Sequence, residues 1–309
     1  MPDSSRGSAG GRRPRRTPAG APGAGGQPHG EGQHSQRFHQ LHVQQGGIDL
    51  RLVRADELWV KVLGRKLWMA MALAAPSRLW LGGVVSRHRD GKLIAAVVRM
   101  VRSCARSLAI LVCVDGLASY VRAFVQGFRR KQPREGRPGR PRLLEEPGLL
   151  IGQVIKRYSG RRVVDVTRRV ARGSAEAIAA VLARTGTGTG INTAYIERLN
   201  ATFRGRWTPL VRRGRALVRE RCVEAGMWLV GCAYNFCWEH ESLRVSAPAG
   251  SGRRWQGRTP AMAAGLTDRR WELREVLGER LPPERWKAPR RKPRRRRRAA
   301  TPVAPRLAA

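Results

Sequence analysis

Apolar and polar residues are arranged along residues 48–85 in a way that predicts three β-strands. Residues 67–75 and 79–85 are continuous apolar runs of the kind found in central strands, and Pro76 and Ser77 between them are turn residues. The first segment alternates instead, which is typical of a strand with one buried face. We therefore expect three consecutive strands, joined by short turns, at the start of the fold.

One acidic residue lies on the apolar face of the first predicted strand. Leu58 and Val60 alternate with Trp59 and Lys61, and the same period of two assigns Asp56 to the face of the apolar residues. The strand is therefore expected to direct a carboxylate toward the core near one of its ends.

A helix, a buried strand and a second helix are predicted next. Residues 91–106 carry apolar side chains at helical spacing, and residues 109–114 form a short apolar run that is typical of a fully buried strand. Asp115 and Gly116 end this run, and residues 117–128 return to helical spacing. In an open α/β sheet, functional groups gather just past the carboxyl ends of the strands, and Asp115 lies at such a point.

The second half of the chain predicts a hairpin followed by helices. A loop rich in Pro, Gly and Arg is expected at residues 129–148, and strands at residues 149–158 and 163–170 form the hairpin. The later predicted segments are a helix at residues 174–183, a flexible linker at residues 186–190, a helix from Asn192 and a second long helix at about residues 216–243.

The helix from Asn192 has an apolar and a polar face. Its apolar stripe consists of Ile196, Leu199, Phe203 and Trp207. Its neighbouring polar face consists of Thr193, Glu197, Asn200 and Arg204, because seven residues are close to two helical turns. Glu197 is therefore predicted to lie at the edge of the core.

Composition adds a strong preference for a polyanionic partner. The 309 residues include 61 Lys and Arg against 22 Asp and Glu, a formal net charge of +39, while 41% of the residues are hydrophobic. This apolar content supports a globular core, and this charge repels itself unless a polyanion neutralises it, so nucleic acid is the expected partner. The longest apolar runs are shorter than the roughly 20 residues that span a bilayer, and no secretion signal is evident. We therefore expect a cytoplasmic protein that does not bind membranes.

Both ends of the chain are predicted to be disordered. Residues 1–36 contain nine Gly, five Pro and four Ser, with almost no large apolar side chain. Nine of the twelve residues 287–298 are Lys or Arg, and two prolines interrupt them. We therefore divide the chain into a low-complexity tail at residues 1–36, an ordered domain at residues 37–280 and a disordered basic tail at residues 281–309.

Three carboxylates, Asp56, Asp115 and Glu197, stand out in a chain with so few acids. Carboxylate oxygens are ligands that Mg²⁺ and Mn²⁺ prefer, and two such ions about 3.5–4 Å apart bind the attacking and leaving oxygens of a phosphoryl displacement. Each acid taken singly has an ordinary interpretation, as a solvated strand end, an Asp-Gly turn or a helix-surface ion pair. Their combination in a strongly basic chain favours a metal site.

The residues around these acids resemble a known family. The similar segments are Asp-Glu-Leu-Trp at residues 56–59, Val-Asp-Gly at residues 114–116 with Tyr120 after it, and residues 192–200 with Arg204 after them. Together they resemble the three-acid (DDE) catalytic domain of bacterial insertion-sequence transposases. The similarity is greatest to the branch typified by the first-described insertion sequence, with its Asp-Glu-x-Trp start and its Ile-Glu-Arg-x-Asn helix.

The resemblance covers about residues 53–276 and implies a ribonuclease H-like mixed sheet flanked by helices. It implies that Asp56, Asp115 and Glu197 are ligands of Mg²⁺ or Mn²⁺, and that Arg204 contacts DNA. In this family, metal-activated water cuts the ends of the element, and the freed 3′ hydroxyl attacks target DNA without a covalent enzyme intermediate. The implied partners are insertion-sequence ends, target DNA and further copies of the chain on DNA.

Residues 1–36 depart from this family, whose members usually carry a zinc ribbon or a helix-turn-helix before the first acid. The segment lacks the cysteines and the helical pattern of either, so we expect a copy without its N-terminal DNA-binding part. The alternative functions are a DNA-binding remnant without catalysis, and a different ribonuclease H-like nuclease that cuts RNA–DNA hybrids or DNA junctions.

Two basic segments are candidate DNA contacts. Residues 198–221 contain eight Arg and one acid, so phosphate contacts and a steep dependence on salt are expected there. The DNA-binding residues predicted around this segment are Arg198, Asn200, Arg204, Arg206, Arg212 and Arg213. Residues 136–142, Gly-Arg-Pro-Gly-Arg-Pro-Arg, resemble an AT-hook core that lies in a narrow minor groove, but a nonspecific DNA-facing loop is the favoured interpretation.

Overall fold

A six-stranded mixed β-sheet forms the centre of the computed structural model, which describes residues 28–62, 64–134, 136, 139–160, 162–211 and 219–283. The described residues as far as Glu279 belong to one compact unit, and residues 280–283 belong to a second unit that runs to Ala309. The strands are β1 (Leu52–Val62), β2 (Arg65–Ala74), β3 (Leu79–Ser86), β4 (Leu111–Asp115), β5 (Arg129–Gln132), β6 (Arg142–Glu145), β7 (Leu150–Ser159), β8 (Arg162–Arg172), β9 (Val245–Ser246) and β10 (Trp255–Gln256). The helices are α1 (Pro28–His42), α2 (Gly91–Cys104), α3 (Ala118–Gly127), α4 (Ala175–Thr185), α5 (Ala194–Arg206), α6 (Glu220–Phe236), α7 (Pro260–Ala263) and α8 (Leu273–Gly278).

The strands of the central sheet follow the order β3-β2-β1-β4-β7-β8. The first three are antiparallel to each other, β1 and β7 are both parallel to β4, and β8 pairs antiparallel with β7 at the edge. The parallel connections cross over through helices, as parallel pairs require. This arrangement confirms the predicted α/β class and the three opening strands.

Helices cover both faces of the sheet. On one face, Leu58 and Met69 pack with Ile196 of α5 and Met227 of α6, and α4 covers the neighbouring part of the same face. On the other face α2 packs against α3 and contacts β2 and β3. The core therefore has two layers of apolar side chains, one on each side of the sheet.

Local signals in the sequence explain where the helices begin. The side chain of Asp90 accepts a hydrogen bond of 3.0 Å from the backbone N–H of Leu93 and so caps α2. Ser174 caps α4 in the same way, through a 3.2 Å hydrogen bond from Ala177. The predicted helices at residues 91–106, 117–128 and 174–183 are confirmed, with bounds that differ by a few residues.

The first helix corrects the predicted extent of the low-complexity tail. Helix α1 begins at Pro28, so residues 28–36 are helical although they were expected to be disordered. Phe38 is fully buried with its ring 4.9 Å from that of Phe236, and the buried ring of His39 lies 5.2 Å from that of Trp228. Packing against α6 therefore stabilises a helix whose own sequence has little helical signal. Residues 1–27 and 284–309 lie outside the described residues.

Two further expectations are corrected in detail. The loop predicted at residues 129–148 contains the antiparallel pair β5–β6. The long helix predicted at residues 216–243 is represented by α6, which ends at Phe236 and is followed by a short 3₁₀ turn at Glu241–Leu243. No helix in the described part of the chain is long and apolar enough to cross a membrane.

Candidate metal-binding cleft

Two of the predicted carboxylates are brought together by the parallel pairing of β1 and β4. The ladder pairs Leu52 with Leu111, an offset of 59 residues, and Asp56 and Asp115 differ by the same 59 residues. Both acids therefore lie on the same face of the sheet, on neighbouring strands. Asp115 is the last residue of β4, where its carboxylate accepts a 3.0 Å hydrogen bond from the backbone N–H of Leu117.

Glu57 is a third carboxylate of this site, and it was not among the acids predicted from the sequence pattern. Asp56, Glu57 and Asp115 each offer one oxygen, and these oxygens lie within 4.8 Å of one another. Strict alternation assigns Glu57 to the opposite face from Asp56, which is why the period of two gave no reason to choose it. The ladder between β1 and β4 ends at the pair Arg54 and Cys113, so the three acids lie just past the last paired residues. The available signal was the acidic pair at residues 56–57 itself.

An arginine already neutralises part of this cluster. Arg89 donates from Nη2 to Glu57 Oε2 at 2.8 Å and from Nε to the same oxygen at 3.2 Å. The same Nη2 lies 3.2 Å from Asp115 Oδ2. The Arg89 guanidinium also lies 5.2 Å from the centre of the Trp68 ring. Arg89 therefore links two of the three carboxylates and was not predicted from the sequence.

The environment of Asp56 disfavours its charged form. Its carboxylate accepts hydrogen bonds from the backbone N–H of Glu57 at 2.8 Å and from the Asn200 side chain at 2.9 Å. Burial and the negative charges of Glu57, Asp115 and Glu197 nevertheless raise the pKa of Asp56 to about 7. Burial and the charge of Asp115 likewise raise the pKa of Glu57. The cluster therefore holds more negative charge than its protein partners balance.

The donor set fits a divalent cation. The buried Glu57 Oε1 makes no hydrogen bond in the described part of the chain, although Tyr120 lies close enough to Glu57 to lower its pKa. A buried carboxylate oxygen without a partner is costly, and coordination of a cation would satisfy it. Asp56, Glu57 and Asp115 are therefore a cluster that can hold a metal ion.

Glu197 lies across the same cleft in a different setting. The cleft has a volume of about 450 Å³, and its walls include Asp56, Asp115 and Glu197. Glu197 accepts a hydrogen bond from Thr193 Oγ1 at 2.8 Å and forms an ion pair with Lys156 of β7. It is not part of the group whose oxygens lie within 4.8 Å. Burial alone would raise the pKa of Glu197, but the hydrogen bonds from Lys156 and Thr193 outweigh it and lower that pKa.

The predicted DNA-binding residues have different positions in the structure. Arg198 and Arg206 on α5 are exposed, with the Arg206 guanidinium 5.0 Å from the centre of the Trp238 ring, and Arg204 is partly buried. Asn200 is buried and donates a hydrogen bond to Asp56, and its contact with DNA stays a prediction. Arg212 and Arg213 lie outside the described residues, as do residues 137–138 of the AT-hook-like segment.

The fold and the cleft together define an α/β protein with a carboxylate cluster that can hold a metal ion. Comparison with known proteins adds no family, since no family model matches the chain and no curated protein matches it. A functional assignment therefore depends on the geometry of the cleft and on the sequence motifs.

Proposed function

We propose that this chain is a DDE-type DNA transposase with a ribonuclease H-like catalytic domain, which cuts and joins DNA strands with Mg²⁺ or Mn²⁺. The observation that carries the proposal is the cleft in which Asp56 and Asp115 lie on adjacent parallel strands opposite Glu197. The six-stranded mixed sheet flanked by helices is compatible with that fold. The order of the three acids along the chain is the order expected for the family.

The residues of the cleft have different roles in the proposed reaction. Asp56 and Asp115 would hold the divalent cation, with Glu197 or Glu57 completing its ligands. The cation, when bound, supplies Lewis-acid activation of the attacking oxygen and stabilises charge on the phosphate. Asn200 keeps the Asp56 carboxylate in a fixed orientation through its 2.9 Å hydrogen bond, which helps to preorganise the site.

The charge of the chain supports DNA as the substrate. A formal net charge of +39 attracts the phosphate backbone over long range, and Arg198 and Arg206 are exposed on the helix that carries Glu197. Binding through such contacts is independent of sequence and weakens steeply with salt. Recognition of particular ends would require base contacts in addition.

A second candidate function is a DNA-binding remnant that no longer catalyses transposition. The observation that favours it is the pairing of the acids with the protein's own cations, Arg89 with Glu57 and Asp115, and Lys156 with Glu197. Carboxylates that are neutralised in this way would bind a divalent cation more weakly than free ones. The two candidates share DNA binding and differ in cleavage.

The deciding experiment measures DNA cleavage and joining by the full chain. Supercoiled plasmid and a labelled oligonucleotide with a free 3′ hydroxyl are incubated with the protein and Mn²⁺, in parallel with RNA–DNA hybrid and junction substrates. We expect the parent to nick and join DNA, and we expect both activities to fall about 1000-fold in Asp115→Asn. The substitution removes a ligand of the cation that would stabilise the charge on the reacting phosphate. The control, Asp165→Asn, changes an exposed acid of β8 whose carboxylate accepts a hydrogen bond from Thr167, and it should retain activity.

The possible results separate the candidates. DNA binding without nicking or joining by the parent would support the remnant. Preferential cutting of hybrids or junctions would support a different nuclease, and equal activity in parent and Asp115→Asn would contradict a role for the cleft.

A further inference from the structure

Arg89 lines the cleft and has no role in the reaction as proposed above. It follows β3 in the short connection to α2, and the N-cap of α2 by Asp90 anchors that connection. Its guanidinium lines the cleft beside Asp56 and Asp115. Trp68 lies along one side of it at 5.2 Å, within the range of a cation–π contact. Neighbouring groups therefore restrict where this cation can lie.

Glu57 is the group that holds Arg89. The Glu57 side chain is only 1% exposed, whereas the Arg89 side chain is 36% exposed. Both Nε and Nη2 of Arg89 donate to the same oxygen of Glu57, with the shorter distance at 2.8 Å. A charge-assisted pair with one buried partner is more persistent than a surface ion pair. Glu57 is thus an anchor, and Arg89 is the part of the pair that reaches the cleft.

The remaining contacts of Arg89 are weaker and open to exchange. The distance from Nη2 to Asp115 is 3.2 Å, longer than the 2.8 Å contact to Glu57. The hydrogen bonds of Arg89 within the described part of the chain come from Nε and Nη2, and Nη1 makes none there. Arginine presents its donors in a planar fork that matches the oxygens of a phosphate group. A phosphate entering the cleft could replace the Asp115 contact while the Glu57 contact remains.

We propose that Arg89 binds the reacting phosphodiester group in this cleft and that buried Glu57 is the positioning residue that holds Arg89. This inference rests on the proposed function for its substrate class, a nucleic acid phosphodiester. In the free protein, Arg89 balances the charge of Asp115. With substrate bound, the Arg89 guanidinium pairs with the phosphate in place of Asp115. The Asp115 carboxylate is then available to a cation.

The first test compares single-turnover plasmid nicking by the parent, Arg89→Gln, Arg89→Lys and Glu57→Gln in Mn²⁺. We expect Arg89→Gln to lower the nicking rate constant about 100-fold, since it removes a donor to the charged phosphate, while affinity for a labelled duplex changes less than about threefold. Arg89→Lys should recover part of the rate. Glu57→Gln should lower the nicking rate constant less in the Arg89→Gln variant than in the parent, because the two residues act as a unit.

Arg87→Gln is the matched control for this test. Arg87 is two residues away in the same connection, but its side chain is exposed and pairs with Glu220 outside the cleft. It should nick DNA at the parental rate. Equal losses in Arg87→Gln and Arg89→Gln, or a loss of DNA affinity as large as the loss of rate, would reduce Arg89 to a general DNA contact. Faster nicking by Arg89→Gln would show that Arg89 only competes with the cation, and would overturn the proposal.

A second measurement does not depend on cleavage. Binding of bis(4-nitrophenyl) phosphate, a small phosphodiester, is measured by calorimetry with the full chain in Ca²⁺. We expect Arg89→Gln to weaken this binding about tenfold or more, as loss of a hydrogen bond to a charged group implies, and Arg87→Gln to leave it unchanged. Selective loss in Arg89→Gln would uphold the phosphate site even if the parent cut no DNA, which would reject only the proposed transposase. Unchanged binding in Arg89→Gln would overturn the Arg89 proposal, whatever the nicking assay shows.

Discussion

The two halves of the acidic cleft hold their carboxylates in opposite electrostatic states. The strand half consists of Asp56, Glu57 and Asp115, and the helix half consists of Glu197 with its partners on α5 and β7. In the strand half, burial and like charge raise the pKa of Asp56 to about 7. Glu57 there is 1% exposed and has an oxygen without a hydrogen-bond partner in the described part of the chain.

The helix half is more open and better compensated. The Glu197 side chain is 46% exposed and is held by Lys156 and Thr193, so its pKa is lowered in spite of partial burial. The difference indicates that the strand half is where an added cation would relieve most repulsion. In the helix half, the ammonium group of Lys156 already balances the charge of Glu197. Glu197 would therefore have to break its ion pair with Lys156 in order to bind a metal ion.

The largest expected effect is on metal affinity. Asp56→Asn should weaken Mn²⁺ binding by about 100-fold or more, because it removes a carboxylate from the clustered half. Glu197→Gln should weaken it by about tenfold or less, because Glu197 lies outside that cluster and is already paired. Calorimetric titration with Mn²⁺ measures both, and equal losses in the two variants would remove the distinction between the halves.

A smaller effect is expected on the pH dependence of stability. The pKa of Asp56 rises from 3.8 to about 7 on folding, so between these values the folded chain binds more protons than the unfolded chain. The free energy of unfolding therefore falls as pH rises through this window. Asp56→Asn should raise it by about 1–3 kcal/mol near pH 8, and by much less near pH 4, in urea titrations with chelator.

The exposed acid of β8 provides the control for this measurement. In Asp165→Asn, the difference in the free energy of unfolding between pH 8 and pH 4 should be the same as in the parent. A destabilisation by Asp56→Asn of the same size at both pH values would mean that its hydrogen bonds outweigh repulsion in the strand half.

The smallest effect is expected in the helix half, with the opposite sign in pH. The lowered pKa of Glu197 means that its ion pair stabilises the folded chain at neutral pH, and that this contribution is lost as pH falls through the folded pKa. Lys156→Gln should therefore cost less than about 1 kcal/mol at neutral pH, since the pair is partly exposed, and still less at acidic pH once Glu197 is protonated. Urea titrations at neutral and acidic pH measure the free energy of unfolding. A cost of Lys156→Gln that grows in acid would contradict the stabilising role of the ion pair.

Much of the fold was predictable because local patterns specify it. The three opening strands, the buried strand before Asp115 and the hairpin β7–β8 all follow from apolar runs and turn residues. The positions of Asp56 and Asp115 on one face follow from the period of two and from the parallel pairing of their strands. Helix α1 was not predictable in this way, because its stability comes from buried contacts of Phe38 and His39 with distant residues.

The amino-acid pattern was sufficient for the order of the six strands of the central sheet and of the helices α2 to α6, and for the charge that favours a polyanionic partner. These properties depend on spacing and composition, which are local or additive along the chain. The folded arrangement alone decided that Glu57 joins the cluster, that Arg89 links Glu57 to Asp115, and that Lys156 neutralises Glu197. Each of these contacts joins different segments of the chain, and the energy of a charge depends on the burial and on the neighbours that only packing supplies.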